Sequence, residues 1–295
     1  MNDSPDSGTL ARKSASVLPI HKTPKQLLDQ ISFSYLLFDP EAQRLERANL
    51  APFAELLSDI LATSGSASAV QQGILNGLQM EHIAVNFDDS AISEPYNIIV
   101  SNHPCNAYVD GALLVASIER LGLSPTIFCA RNLDFSGTEE FLPIEMPIIS
   151  GRDSRKQSDI NKFNSNSMKR ATEYLLAGRG IGIFPSAGYF DYSKPENRLV
   201  ESSFVRLAPF LYETRRLEPE VICIKHVYDI PAWWVELYQK DIEKFFAMQW
   251  KAALTIGPQK VNSYLISRKN ISRNAEFGSL ANLCEEIRSE FNNFQ

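Results

Sequence analysis

No run of about 18 apolar residues, the length a membrane-crossing helix needs, occurs anywhere in this 295-residue chain. No membrane span is expected, and any work on lipid would be done from the surface. Cysteine is scarce: Cys105, Cys129, Cys223 and Cys284 lie far apart, with no Cys-x-x-Cys pair and no His/Cys spacing suited to zinc. Three of the four stand in apolar surroundings, where cysteine serves as a small buried hydrophobe. A reduced, cytoplasmic compartment and no metal are therefore expected. Runs of lysine and arginine are missing too, and the formal net charge is -6 at a pI near 5.4. That argues against a nucleic-acid partner. A local patch on an acidic chain can still touch a membrane, so peripheral contact stays open. Residues 1–22 are polar and lack an apolar core of signal-peptide length, so they read as a disordered tail.

What is present is ample apolar material, 44% of residues, enough to bury a sizeable core. Over residues 23–81 the periodicity is helical. Leu27, Leu28, Ile31, Tyr35 and Leu36 form one stripe, and Phe53, Leu56, Leu57, Ile60 and Leu61 a second. Over residues 82–295 strands and helices alternate. Strands are expected at 82–87, 96–102, 125–130, 147–150, 180–186, 220–228 and 252–257. Helices are expected at 110–121, 159–177, 199–216, 232–249 and 279–291, with Asp110 as the N-cap of the first. This alternation marks an α/β fold: a largely parallel central sheet with helices on both faces, preceded by an N-terminal helical region packed on the sheet. The aromatic stripe Trp233, Trp234, Leu237, Tyr238, Ile242, Phe245, Phe246 and Trp250 reads as a core helix face, with a bilayer-dipping surface or an acyl channel as alternatives.

One stretch carries chemistry. In NHPCNAYVDG a strand ends on Asn102-His103, and Asp110 stands where the next helix begins. Ligands of open α/β sheets sit at the carboxyl ends of strands. An imidazole there can act as a base near neutral pH, and a carboxylate on its other nitrogen would fix the tautomer. Such a pair removes a proton from a hydroxyl or amine as it attacks a carbonyl. The alternative is a loop end with a helix-capping aspartate. His226, near another strand's carboxyl end, is either a second polar group at the site or a satisfied, partly buried histidine. Cys105 could be the nucleophile of a thioester hydrolase, or a small residue in a tight loop.

The order of five motifs resembles the glycerophosphate and lysophospholipid acyltransferase superfamily, in particular its haemolysin-named branch that includes lyso-ornithine-lipid acyltransferases. The motifs are NHPCNAYVDG, PIISGR with Arg152, GIGIFPSAG, VICIKHV and LTIGPQ, and the resemblance covers about Pro24 to the C-terminus. It implies acyl transfer from a thioester, on CoA or acyl carrier protein, to an acceptor hydroxyl or amine of a lipid-like or small molecule. No metal or redox cofactor is implied. His103 would be the base and Asp110 its partner. Asn102 and Phe184 would adjoin the substrate, Arg152 would hold an anionic group of the acceptor, and the turn Pro185, Ser186, Ala187 and Gly188 would line the acceptor or oxyanion side. Cytoplasmic protein, peripheral on the inner face of the membrane, is the location implied.

Two departures stand out. Six residues separate His103 from Asp110, one more than in the nearest branch and two more than in the usual pattern. The Phe-Pro turn also lacks the family's Glu, which favours some other hydroxyl or amine acceptor over glycerophosphate. A non-catalytic acyl-binding protein on the same fold is the main rival.

Overall fold

A computed structural model describes residues 21–33, 37–87, 95–104, 107–133, 140–145, 157–184, 207, 211, 217–270 and 280–294. Three helices lead: α1 (Pro24–Ile31), α2 (Pro40–Thr63) and α3 (Ala67–Gly77). Thr23 caps α1 in a capping box with Gln26, and Asp39 caps α2 through the Glu41 N–H, each followed by a proline whose missing N–H costs nothing there. Pro52 lies inside α2 without ending it.

The remainder is β1 (Met80–Val85), β2 (Asn97–Ser101), α4 (Ala107–Arg120), β3 (Ser124–Ala130), β4 (Phe141–Ile144), α5 (Gln157–Leu176), β5 (Arg179–Ile183), β6 (Glu220–Val227), α6 (Ala232–Lys240), α7 (Ile242–Ile256), β7 (Gln259–Asn270) and α8 (Leu280–Asn293). The seven described strands form one sheet in the order β1-β7-β6-β2-β5-β3-β4. All neighbours are parallel except β6 and β7, which run antiparallel. The expected mixed α/β architecture with a mostly parallel sheet is therefore present.

Alternation along the central strands separates two faces. Ile99, Ile222 and Ile224 meet Leu114, Val115 and Ile118 of α4 on one face. Ile98, Val100, Ile181, Val221 and Cys223 meet Ala171 and Leu175 of α5 and Leu283 and Ile287 of α8 on the other. Gly182 lets α4 sit close on β5: a Cβ there would lie 2.7 Å from Ile127 Cγ2 and 2.9 Å from Leu114 Cδ2.

Four expectations are corrected. The N-terminal helices pack chiefly on α4 and α7, as a further layer, and meet the sheet directly mainly where α3 touches β1. Phe53 of α2 lies 4.8 Å from the Tyr108 ring of α4 and 5.2 Å from Trp250 of α7. The single helix expected at 232–249 is two helices, because Asp241 takes an extended conformation and caps α7 through the Lys244 N–H. The segment 252–257 continues α7 and is no strand. Ala253 and Ile256 extend the buried face of Phe246 and Trp250 at helical spacing, a pattern a short apolar run does not distinguish from a strand. The last strand is instead β7, whose polar sequence QKVNSYLISRKN hides it. β4 was also unforeseen. The strand expected at 147–150 and most of the helix at 199–216 lie outside the described residues.

In the aromatic stripe, Trp234, Phe245, Phe246 and Trp250 are buried in the core, while Trp233 is half exposed. Glu46 of α2 is buried beneath the end of α1, accepting hydrogen bonds from Ser32 Oγ at 2.7 Å and Phe33 N–H at 2.5 Å. Burial pushes its carboxyl above the usual range.

Candidate active site

The stretch NIIVS is β-branched and apolar, and all five residues of β2 are buried between β5 and β6. Val100 lies opposite Ile183 of β5 and Cys223 of β6. The three strands are parallel, so their carboxyl ends meet at one edge in the middle of the sheet, where ligand sites of open α/β folds form. Asn102 is the first residue past β2. Its Nδ2 donates to the His226 carbonyl at 2.9 Å, and its Oδ1 accepts from the His226 N–H at 2.7 Å. The Asn102 amide thus ties the end of β2 to the end of β6 by a two-point clasp, a use not foreseen when it was placed beside the substrate.

His103 is next in the chain. Its Nδ1 is 2.5 Å from Asp110 Oδ2, with the imidazole side chain 10% exposed and the carboxylate fully buried. The two side chains that the sequence singles out are therefore in contact. Asp110 is not the N-cap: α4 begins at Ala107, and Asp110 lies in its first turn. The reason is the burial of Tyr108 and Val109, which wind into helix rather than remain in the loop. Half of the long gap is thereby taken up by the helix. Side chains on a helix lean towards its N-terminus, which aims the carboxylate back at the loop carrying His103. The N-terminal end of α4 also favours a negative charge.

The other carboxylate oxygen, Oδ1, accepts from the Tyr228 hydroxyl at 2.5 Å. Tyr228 comes just after β6 and was not among the expected site residues. A weak signal existed: it stands two residues beyond His226, hence on the same side of a strand that runs to the same edge. Phe184, just after β5, is tilted against the His103 imidazole with ring centroids 4.8 Å apart. Arg152, Pro185, Ser186, Ala187, Gly188 and Cys105 lie outside the described residues.

Behind the pair runs a row of polar groups. His226 is buried, with Nδ1 2.6 Å from Ser263 Oγ of β7, and His82 Nε2 of β1 lies 2.8 Å from the same hydroxyl. One hydroxyl hydrogen cannot be given to both rings, so at least one ring nitrogen donates to Ser263 Oγ. Burial lowers the imidazole pKa of His226 to about 3, with smaller contributions from His82 and His103. Burial lowers His82 as well. The sequence alone leaves His226 open between two roles.

His226 carries a stability prediction. An unfolded chain protonates this ring near pH 6.5, whereas the folded chain keeps it neutral down to about 3. Its contribution is complete above pH 6.5 and is lost as pH falls towards 3. Between pH 7 and 5 wild-type protein should lose about 2 kcal/mol more unfolding free energy than His226→Gln loses over the same interval. Urea titrations at the two pH values check this, and identical losses refute it.

With Nδ1–H donated to Asp110, a neutral His103 carries its lone pair on Nε2, and the buried carboxylate stabilises the imidazolium that forms when Nε2 takes a proton. The arrangement can act as a general base. Among the described residues no group of three or more His, Cys, Asp or Glu side chains is placed to hold a metal ion. None of the described helices is long and apolar enough to cross a membrane.

Fold and site together define a mixed α/β protein with an imidazole–carboxylate pair at the carboxyl edge of its sheet. Among solved structures the chain is similar to the 1-acyl-sn-glycerophosphate (LPA) acyltransferase PlsC from Thermotoga maritima, at 13% identity over 91% of this chain and 94% of that one, with a TM-score of 0.39. No family model and no curated protein matches the sequence.

Proposed function

We propose that this chain is an acyltransferase of the glycerophosphate and lysophospholipid acyltransferase superfamily. It moves an acyl group from a thioester, on CoA or acyl carrier protein, to a hydroxyl or amine of a lipid-like or small-molecule acceptor. The observation that carries the reading is the contact of His103 Nδ1 with the buried Asp110 carboxylate at the carboxyl edge of β2. The ordered motifs supply the reaction type. In this reading Nε2 takes the proton of the acceptor as its oxygen or nitrogen attacks the thioester carbonyl. The tetrahedral intermediate then expels the thiolate, which recovers the proton from the imidazolium. Phe184 lines the approach to His103, Arg152 holds an anionic group of the acceptor, and Pro185 to Gly188 face the acceptor or the oxyanion. The protein works in the cytoplasm, with peripheral contact to the inner face of a membrane.

The test is thiol release by purified protein from acyl-CoA and acyl carrier protein, with and without candidate acceptors. Acceptor-dependent release that His103→Ala abolishes supports the proposal. No release with any acceptor favours an acyl-binding protein, and acceptor-independent release abolished by Cys105→Ala favours a thiol hydrolase.

Asp110→Asn adds a sharper expectation. The carboxylate accepts from both His103 Nδ1 and the Tyr228 hydroxyl. An amide offers one acceptor and one donor, so it cannot accept from both, and it carries no charge to stabilise the imidazolium. Where its NH₂ meets Nδ1, the imidazole shifts its proton to Nε2 and ceases to be a base. Turnover should fall by about two orders of magnitude, most of the usual general-base factor, with an unchanged circular dichroism spectrum. Wild-type turnover in this variant would remove Asp110 from the mechanism.

A further inference from the structure

We infer that Tyr228 is a positioning residue of the site: its hydroxyl fixes the Asp110 carboxylate against His103 and, by taking a share of its charge, sets the basicity of the imidazole. The inference rests on the acyl-transfer reading for its consequence in turnover, but its geometry stands apart from the reaction. The Tyr228 O–H to Asp110 Oδ1 contact is 2.5 Å, in a place where the carboxylate is fully buried. A hydrogen bond to a charged acceptor in buried surroundings is among the stronger kinds, because little water competes for the oxygen. The two oxygens are divided, Oδ2 to the imidazole and Oδ1 to the phenol, so the carboxylate plane is held at both ends.

The position of Tyr228 is itself enforced. It is two residues past His226, whose N–H and C=O are both clasped by the Asn102 amide. Asn102 precedes His103 directly. The two strand ends are thus tied twice, once by the Asn102 side chain onto β6 and once by the Tyr228 side chain onto α4. This explains why an amide stands before the histidine: it fixes the height of β6, and with it the phenol, relative to the imidazole.

The consequence is electrostatic. A phenol that donates to Asp110 stabilises the free carboxylate and draws charge from the oxygens. The imidazolium of His103 is then stabilised less than by an undivided carboxylate, and deleting the phenol hydroxyl should restore that stabilisation. Among the described residues, the titratable groups lined up behind this pair are His226, from β6, and His82 of β1 across Ser263 of β7, while β5 is followed by the uncharged Phe184. Burial holds His226 neutral well below the ordinary imidazole range, so it places no positive charge beside the pair near neutral pH.

The experiment is a titration of the His103 ring by NMR in ¹⁵N-histidine-labelled wild-type protein and Tyr228→Phe, which keeps the ring and deletes the hydroxyl. The midpoint should rise by about 0.5–1 unit in the variant, the size of change expected from one charge-assisted hydrogen bond. An unchanged or lowered midpoint overturns the inference. A second measurement needs no variant. In wild-type protein labelled with ¹³Cζ-tyrosine, the Tyr228 resonance should move with the His103 midpoint, and a flat resonance overturns the coupling. If acyl transfer is the reaction, the acid limb of the kcat/KM profile of Tyr228→Phe moves up by the same interval. If both titrations behave as expected and no acyl transfer is found, the positioning role stands and the assigned reaction falls.

Discussion

His103→Ala should lower turnover by about 10²–10⁴-fold, or about 3–5 kcal/mol of barrier, while the protein remains folded. The magnitude is that of a general base removed from a site whose other elements remain. The substitution leaves the Asp110 carboxylate buried beneath the vacated ring, but still hydrogen-bonded by Tyr228. That bond reduces the cost of leaving the acid without its imidazole, so most of the loss should appear in kcat rather than in stability. Single-turnover acyl transfer, followed beside thermal unfolding, separates the two. Cys105→Ala should leave turnover close to wild type. Near-normal turnover in His103→Ala would remove the imidazole from the mechanism and with it the proposed reaction.

The largest stability effect is expected at Trp250. Its side chain is fully buried in α7 and meets three rings from three other parts of the chain: Phe53 at 5.2 Å, Tyr108 at 4.6 Å and Phe33 at 6.0 Å. Truncation to alanine removes most of a large aromatic contact and leaves a cavity that α2 and α4, each fixed elsewhere, cannot close. A cost of about 3–5 kcal/mol is expected from urea unfolding. Trp250→Phe should recover more than half of it, because a smaller ring still meets Phe53 and Tyr108. The effect should reach the site as well. Tyr108 and Asp110 share the first turn of α4, so loosening the ring stack frees the turn that aims the carboxylate. Activity measured well below the unfolding temperature should therefore fall in Trp250→Ala more than in a core truncation on the opposite face of the sheet, such as Leu175→Ala. Equal losses would show that the aromatic layer supports the fold and not the site.

Much of this molecule can be read from local pattern. Burial on both faces makes the centres of β2, IIV, and β6, VICI, continuous apolar runs that can be read without knowing their partners. The helices α4, α5 and α8 show their periodicity, and the prolines and caps mark where α1 and α2 begin. The pairing of His103 with Asp110 was also readable, since both lie in one short strand–loop–helix passage. Where local pattern misled, the cause is physical. An apolar run of six residues, AALTIG, fits helix and strand alike, and only the faces of Phe246 and Trp250 decide for helix. β7 carries polar residues because its neighbours, and not its own composition, make it a strand: it is hydrogen-bonded on one side to β1 and on the other to β6.

By itself, then, the sequence determined the alternation of strand and helix, the histidine at a strand end and the acid at the start of the next helix. The tertiary structure alone decided which other groups meet them. Tyr228 is 118 residues from Asp110, and the Asn102 amide is 124 residues from the backbone it clasps. Such contacts leave no periodic trace, because they arise from the order in which strands are laid side by side. β6 is inserted next to β2 after a long excursion through β3, β4 and β5. That insertion brings a phenol to a carboxylate and sets the buried imidazole of His226 behind His103.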